Sequence, residues 1–83
     1  MPTFMDVHRF GTGVTLEVVA AAHRQDLATQ DHYGVAYRHY WVDERGGTVF
    51  CLVDAPDADT AVTVHREAHG LVADEIHEVR EGH

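Results

Sequence analysis

The stretch VAYRHYWVDERGGTVFCLV, residues 35–53, decides the fold of this chain. Its two outer parts, residues 35–42 and 48–53, are rich in aromatic and β-branched side chains, which favour strands. The segment between them ends in two adjacent glycines, Gly46 and Gly47, which suit a tight turn. The stretch therefore predicts a β-hairpin.

One helix is predicted on each side of the hairpin. Thr15 suits the N-cap of the first helix, which should end near His32 to Gly34. Pro56 marks the start of the second helix, and Gly70 either ends that helix or lies within it. Helical spacing predicts two inward faces: Leu16, Val19, Ala20, His23 and Leu27 in the first helix, and Ala58, Ala61, Val62, His65, His69 and Val72 in the second.

A strand is predicted near each end of the chain. Residues 3–9 alternate at period two, with a polar face formed mainly by Asp6 and His8. Residues 74–80 form the last predicted strand, although Ile76 and Val79 do not share a face. The predicted element order is therefore βαββαβ.

This order is that of the α+β ferredoxin-like sandwich, an antiparallel sheet with two helices on one face. The 83 residues are enough for one such domain, which we expect to span residues 1–83. A domain of this size has a small core, and its second sheet face is left open. We therefore expect a homodimer that covers the open face.

Composition excludes several classes of protein. The chain has 6 basic and 14 acidic residues and a net charge of −8, which makes it a poor nucleic-acid binder. No stretch approaches the roughly 20 apolar residues needed to cross a bilayer, and the first residues lack the features of a secretory signal. The single Cys51 cannot form an internal disulfide. We expect a cytoplasmic protein without a nucleic-acid or membrane partner.

Histidine is the unusual residue, with eight among 83. His65 and His69 lie four apart on the second predicted helix, so both rings share one face and could chelate one ion. The segment around Glu67 matches neither H-E-x-x-H nor H-x-x-E-H and gives no support for a hydrolase. For an isolated pair, a packed core histidine is the commoner explanation, but the histidine count favours metal ligation.

Two further pairs could add ligands to the same ion. His23 and Asp26 lie three apart on the first predicted helix, and Asp6 and His8 share a face of the first strand. His23 is more often explained as a core histidine bonded to a carbonyl or to Asp26, and a solvated or dimer-facing pair explains Asp6 and His8 equally well. The candidate metal ligands are His65, His69, His8, Asp6, His23, Asp26 and Glu67.

The other histidines and the cysteine are expected to be structural. His39 is expected to share one side of its strand with Tyr37 and Trp41, as an aromatic packing surface. Cys51 is interpreted as a small buried residue. The remaining histidines are expected at the surface or at the end of the chain: His32, His77 and His83.

Five ordered segments of the sequence resemble a known family. They are residues 4–8 (FMDVH), 22–27 (AHRQDL), 40–44 (YWVDE), 49–53 (VFCLV) and 64–70 (VHREAHG). Together they resemble small actinobacterial ferredoxin-like proteins of formerly unknown function, among them a nickel-binding protein. The resemblance implies a homodimer that binds nickel through histidines and acids and sequesters or detoxifies it.

The residue types alone do not choose the metal. Neutral imidazole suits nickel, zinc, copper and cobalt alike, and only the resemblance favours nickel. Protons compete with the metal for imidazole, whose pKa is about 6.5, so we expect the affinity to fall steeply below about pH 6.

Two other functions remain open at this point. One is a small dimeric α/β-barrel enzyme of the monooxygenase, cyclase or isomerase type, with a pocket on the open sheet face. Asp6 and His8 would line that pocket beneath Tyr37, His39 or Trp41, and an imidazole would act as general base. The other is an interaction module. The sequence names no catalytic residue, so enzymatic activity has less support than metal binding.

Overall fold

A computed structural model describes residues 1–82, and His83 lies outside the described residues. The elements are β1 (Thr3–Arg9), α1 (Leu16–Thr29), a 3₁₀ turn (Gln30–Tyr33), β2 (Ala36–Asp43), β3 (Thr48–Asp54), α2 (Ala58–Ala68) and β4 (Glu75–Val79). The four strands pair antiparallel in the order β2-β3-β1-β4. This topology confirms the predicted ferredoxin-like fold. Within residues 1–82, neither helix has the length and apolar character needed to cross a membrane.

The core lies between the sheet and the two helices. Since alternate residues of a strand point to opposite faces, one face of β1 and β3 supplies the inward side chains. In β3 these include Val53, which is fully buried, and in α2 the equally buried Ala61 and Val64 meet them. The same face of β1 turns Asp6 and His8 toward the helices, so the polar face of β1 is buried.

The first helix begins where the sequence predicted it. Thr15 adopts an extended conformation and its hydroxyl accepts a hydrogen bond from the Val18 amide at 3.2 Å. The predicted inward face is only partly right: Val19 is buried and Ala20 and His23 are half-buried, but Leu16 and Leu27 are exposed whereas Asp26 is buried. Asp26 pairs with histidines of α2, so the inward face of α1 includes a charged residue that apolar spacing did not select.

The second helix ends at Ala68, before Gly70, rather than continuing past that glycine. Asp57 caps the first turn by accepting a hydrogen bond from the Thr60 amide at 2.8 Å. Gly70 adopts a φ of 79°, in the left-handed region that glycine tolerates best. Val72 was predicted on the inward face of this helix, but it lies beyond the helix end and is exposed.

A bulge in β2 changes which side chains share a face. The pairing with β3 shifts between Tyr37 and His39, so Arg38 is an extra residue in β2. Tyr37 is buried under the helices, while His39 and Trp41 are exposed. The prediction that these three rings share one side is therefore wrong, because the bulge reverses the alternation.

The open face of the sheet is partly apolar. Met5 and Leu52 pair across β1 and β3 and are half-buried there. Trp41 is 51% exposed on β2. In β4, Ile76 lies opposite Asp6 and Val79 opposite Thr3, so the two apolar residues of this strand point to opposite faces, as the sequence indicated.

Candidate metal centre

The polar face of β1 packs against the inner face of α2, between the sheet and the helices. Asp6 and His8 come from β1, His65 from α2, and Cys51 from β3, where it lies opposite Asp6. These four residues are at most 7% exposed. One ligand atom from each lies within 4.8 Å of the others, so the four donors converge.

A second group of donors shares His65. Asp26 of α1 and His69 at the end of α2 have ligand atoms within 4.8 Å of each other and of His65. Asp26 is 2% exposed, and the side chain of His69 is 9% exposed. The two groups form one continuous set, the His/Asp cluster, which consists of Asp6, His8, Asp26, Cys51, His65 and His69.

His65 joins the two carboxylates of the cluster. Its Nδ1 lies 2.8 Å from Asp26 Oδ1, and its Nε2 lies 3.0 Å from Asp6 Oδ2. Asp6 has two further partners, since His8 Nε2 lies 3.1 Å from its Oδ1 and the Tyr37 hydroxyl donates to its Oδ2 at 3.2 Å. Strands β1 and β2 and both helices are therefore tied together through a chain of charged and polar groups.

These contacts fix the charges of the cluster. Burial alone would raise the pKa of Asp6, but its contacts with His65 and His8 outweigh burial and hold the pKa well below its usual range. Contacts with His65 and His69 lower the pKa of Asp26 against the same effect of burial. Burial would lower the pKa of His65, but Asp26 and Asp6 raise it to about 9. A metal ion at His65 would thus replace a proton.

Two other groups in or beside the cluster are neutral. Burial, reinforced by the nearby Asp6 carboxylate, raises the pKa of the Cys51 thiol. Burial raises the pKa of Tyr37 in the same way, with Asp6 and Asp26 adding to the shift. Cys51 can therefore act as a metal ligand only by giving up a proton as the metal binds.

Two buried nitrogens indicate that the cluster fits a metal ion. Among the described residues, His65 Nε2 and His69 Nε2 are buried without an aligned hydrogen bond. Each nitrogen faces a carboxylate oxygen, that of Asp6 at 3.0 Å from His65 Nε2 and that of Asp26 at 3.1 Å from His69 Nε2. Buried polar atoms normally have well-aligned partners, and a metal ion between either nitrogen and its carboxylate would take both as ligands. Imidazole and carboxylate donors suit nickel, copper, zinc and cobalt.

The structure brings together five of the seven candidate ligands. Asp6, His8, Asp26, His65 and His69 lie in the His/Asp cluster. His23 does not, and its half-buried ring instead contacts Tyr40 at a centroid distance of 4.8 Å. Glu67 is exposed on the outer side of α2, where its carboxylate accepts a hydrogen bond from the Tyr33 hydroxyl.

The enzyme alternative required Asp6, His8 and Tyr37 to line a pocket on the open sheet face. All three point to the helix-covered side instead, and only His39 and Trp41 lie on the open side. The proposed arrangement of that pocket is therefore wrong.

The other histidines lie apart from the cluster. His32 is exposed in the 3₁₀ turn, and His39 is exposed with its ring 6.2 Å from that of Trp41. His77 is exposed on β4, where its Nε2 lies 3.0 Å from a carboxylate oxygen of Glu75. His83 was expected at the end of the chain and lies outside the described residues.

Sequence reasoning missed two members of the site environment. Cys51 was interpreted only as a packed residue, and Tyr37 as part of an aromatic wall or of a pocket on the open sheet face, not as a partner of Asp6 on the helix-covered side. The antiparallel register of β1 and β3 places Cys51 directly opposite Asp6. The alternation of Val49, Cys51 and Val53 in β3 could have indicated that Cys51 faces the helices, but the choice of partner on β1 depends on register.

The pairing of His65 predicts how the stability of the protein depends on pH when a chelator is present. In the folded protein the pKa of His65 is raised from 6.5 to about 9. Its stabilising contribution to the free energy of unfolding is therefore fully present below about pH 6.5 and is lost as the pH rises through about 9. Because the pKa values of Asp6 and Asp26 are lowered in the folded protein, their stabilising contribution to the free energy of unfolding is lost only in acid, below about pH 4.

We therefore expect the free energy of unfolding to fall between about pH 6.5 and about pH 9, by an amount on the order of 2 kcal/mol. Urea denaturation with a chelator at several pH values measures this. The fall should flatten in His65→Gln, which separates it from the general repulsion of an acidic chain. A native profile that rises toward pH 9 would contradict the assigned pairing.

The fold and the cluster define a small ferredoxin-like domain with a candidate transition-metal site. The model of the SCO4226-like family, described as nickel responsive proteins, matches residues 4–79, and the chain belongs to this family. The crystal structure of SCO4226 from Streptomyces coelicolor A3(2) is similar, with 41% identity and a TM-score of 0.90 over 98% of this chain and 99% of that chain. Comparison with curated proteins finds no match. The resemblance inferred from five sequence segments is confirmed.

Proposed function

We propose that this protein binds a divalent transition metal ion, foremost nickel, at the His/Asp cluster. It holds the ion without turning over a substrate and serves to sequester or detoxify it in the cytoplasm. The observation that carries the proposal is the convergence of buried imidazole and carboxylate donors from β1, α1 and α2 around His65, with each group of ligand atoms within 4.8 Å.

Support for nickel comes from two directions. The family is described as nickel responsive. The donors are imidazole nitrogens and carboxylate oxygens, which suit Ni²⁺, whereas structural zinc sites mostly use several cysteine thiolates. The chain has one cysteine, Cys51. Zinc, copper and cobalt share the same donor preferences and are the natural competitors.

Metal titration tests the proposal. We expect Ni²⁺ to bind with a dissociation constant below the high micromolar range at about pH 7.5, and at least about tenfold more weakly at about pH 5.5, because protons compete for the imidazoles. Calorimetry with nickel, zinc, cobalt and copper measures both. Equal affinities at the two pH values would count against histidine ligands, and the absence of binding at about pH 7.5 would overturn the function.

We further propose that the protein is a homodimer formed through the open sheet face. A domain with so small a core gains stability by covering apolar surface, and Met5, Leu52 and the exposed Trp41 supply such a surface. Sedimentation equilibrium should give twice the mass of one chain, and Trp41→Glu should shift the protein toward the monomer. A native chain that stays monomeric at about 100 μM would contradict this.

A further inference from the structure

A cavity of about 110 Å³ opens beside the His/Asp cluster, between α1 and the inner face of the sheet. Five residues of the cluster line it: His8, Asp26, Cys51, His65 and His69. Most of the remaining wall is apolar, and its main contributors are Val14, Val18, Val19, Ala22, Val49 and Leu71.

Donors of the cluster and the apolar side chains of α1 therefore line the same cavity. Transition metals in exchangeable sites commonly take water or another external ligand in the position that the protein leaves open. An ordered water needs two to four polar partners, which the walls formed by Val18, Val19 and Ala22 do not supply. A mostly apolar molecule that carries one metal-binding atom therefore suits this cavity better than water does.

The size of the cavity limits the ligand to a single small ring. Engineered apolar cavities of about 150 Å³ bind benzene, so this smaller cavity of about 110 Å³, which is open on one side, suits a five-membered ring. Ala22 lines the cavity and is half-buried. It leaves the cavity open because its side chain has no atoms beyond Cβ.

The apolar wall favours a neutral ligand. Within residues 1–82, Asp26 is the one carboxylate residue that lines the cavity, and most of the remaining lining is apolar, so burying a charged ligand there would cost free energy. Among neutral donors, aromatic nitrogen is one that nickel favours.

We propose that the cavity binds a small neutral aromatic nitrogen heterocycle whose nitrogen completes the coordination of the metal ion at the His/Asp cluster. The ring packs against the apolar wall under α1. The inference rests on the proposed function and deepens it, since the cargo is then a metal ion together with an organic ligand rather than a bare ion.

Binding of 4-methylimidazole to the protein tests this. The protein is loaded with slightly less than one equivalent of Ni²⁺, so that no free metal competes, and the heterocycle is added in a calorimeter. We expect it to bind at least about tenfold more tightly with nickel than with a chelator present. The visible absorption bands of the bound nickel should shift at the same time, which reports a change in coordination.

Two alanines one position apart on α1 provide a matched pair of variants. Ala22→Phe fills the cavity and should weaken 4-methylimidazole binding at least about tenfold, while nickel alone binds as in the native chain. Ala21→Phe adds the same ring at an exposed position outside the cavity and should change neither affinity. If Ala22→Phe does not fold, Val18→Phe fills the same cavity from a more exposed position.

The outcomes separate this inference from the proposed function. If nickel binds but the heterocycle binds no better with nickel than without it, the inference is overturned and the metal site stands. The inference is equally overturned if Ala22→Phe and Val18→Phe both bind the heterocycle as the native chain does. If nickel alone does not bind, the proposed function fails, and the inference fails with it.

Discussion

His65→Ala is expected to abolish nickel binding at the His/Asp cluster and to lower the free energy of unfolding by about 3–5 kcal/mol. His65 belongs to both groups of donors, so its removal leaves neither complete. It is 2% exposed and is the cationic partner of Asp6 and Asp26, both buried. Removing one partner of a buried pair leaves an uncompensated charge, which costs more than the pair itself contributes.

A matched control for this variant exists on β4. His77 lies 3.0 Å from a carboxylate oxygen of Glu75, a distance equal to that between His65 and Asp6, but it is exposed. Exposed ion pairs contribute little because water screens them. His77→Ala should therefore leave both nickel affinity and stability almost unchanged.

Calorimetry and urea denaturation measure both effects of His65→Ala. If the alanine variant does not fold, His65→Gln keeps a polar side chain of similar reach and should fold while still losing most nickel affinity. If either His65→Ala or His65→Gln folds and binds nickel within about threefold of the native affinity, the cluster is excluded as the metal site.

The order of elements could be predicted from the sequence because its causes are local. The hairpin turn at Gly46 and Gly47, the capping residue Thr15 and the helix-start residue Pro56 act within a few positions of the backbone they control. Local patterns of this kind give the same conformation in many tertiary surroundings. The βαββαβ order, and with it the fold, followed from these signals.

The inward faces of α1 and β2 could not be predicted in this way. Apolar spacing placed Leu27 inside and said nothing of Asp26, whose burial depends on histidines of α2 that lie 39 and 43 positions away. The bulge at Arg38 has no strong local signal, yet it reverses the faces of every residue that follows in β2.

The candidate site was predictable only where its residues lie close together in the sequence. His65 and His69 lie one turn apart on any helix, so their proximity followed from spacing alone. Asp26 was paired with His23 because the two lie three apart, whereas in the structure its close contacts are with His65 and His69. Cys51 joins Asp6 only through the register of β1 and β3. Contacts between separate helices and strands complete the cluster, and local sequence patterns do not predict such contacts.

The second large effect is expected at Asp26. Asp26→Asn keeps the shape of the side chain but removes the charge that faces His65 Nδ1 at 2.8 Å and His69 Nε2 at 3.1 Å. We expect nickel affinity to fall about 10- to 100-fold, because a carboxylate donor is lost and the two imidazoles lose the group that orients them. Stability should also fall, since the buried His65 cation keeps only Asp6 as its anionic partner.

Asp31→Asn makes the same chemical change at an exposed position of the 3₁₀ turn and should leave nickel affinity unchanged. Calorimetry on the two variants, with urea denaturation in a chelator, separates ligation from packing. If Asp26→Asn is less stable but binds nickel as the native chain does, Asp26 only holds α1 against α2. The metal would then have to lie on the β1 side of His65, among Asp6, His8 and Cys51, because those donors do not depend on α1.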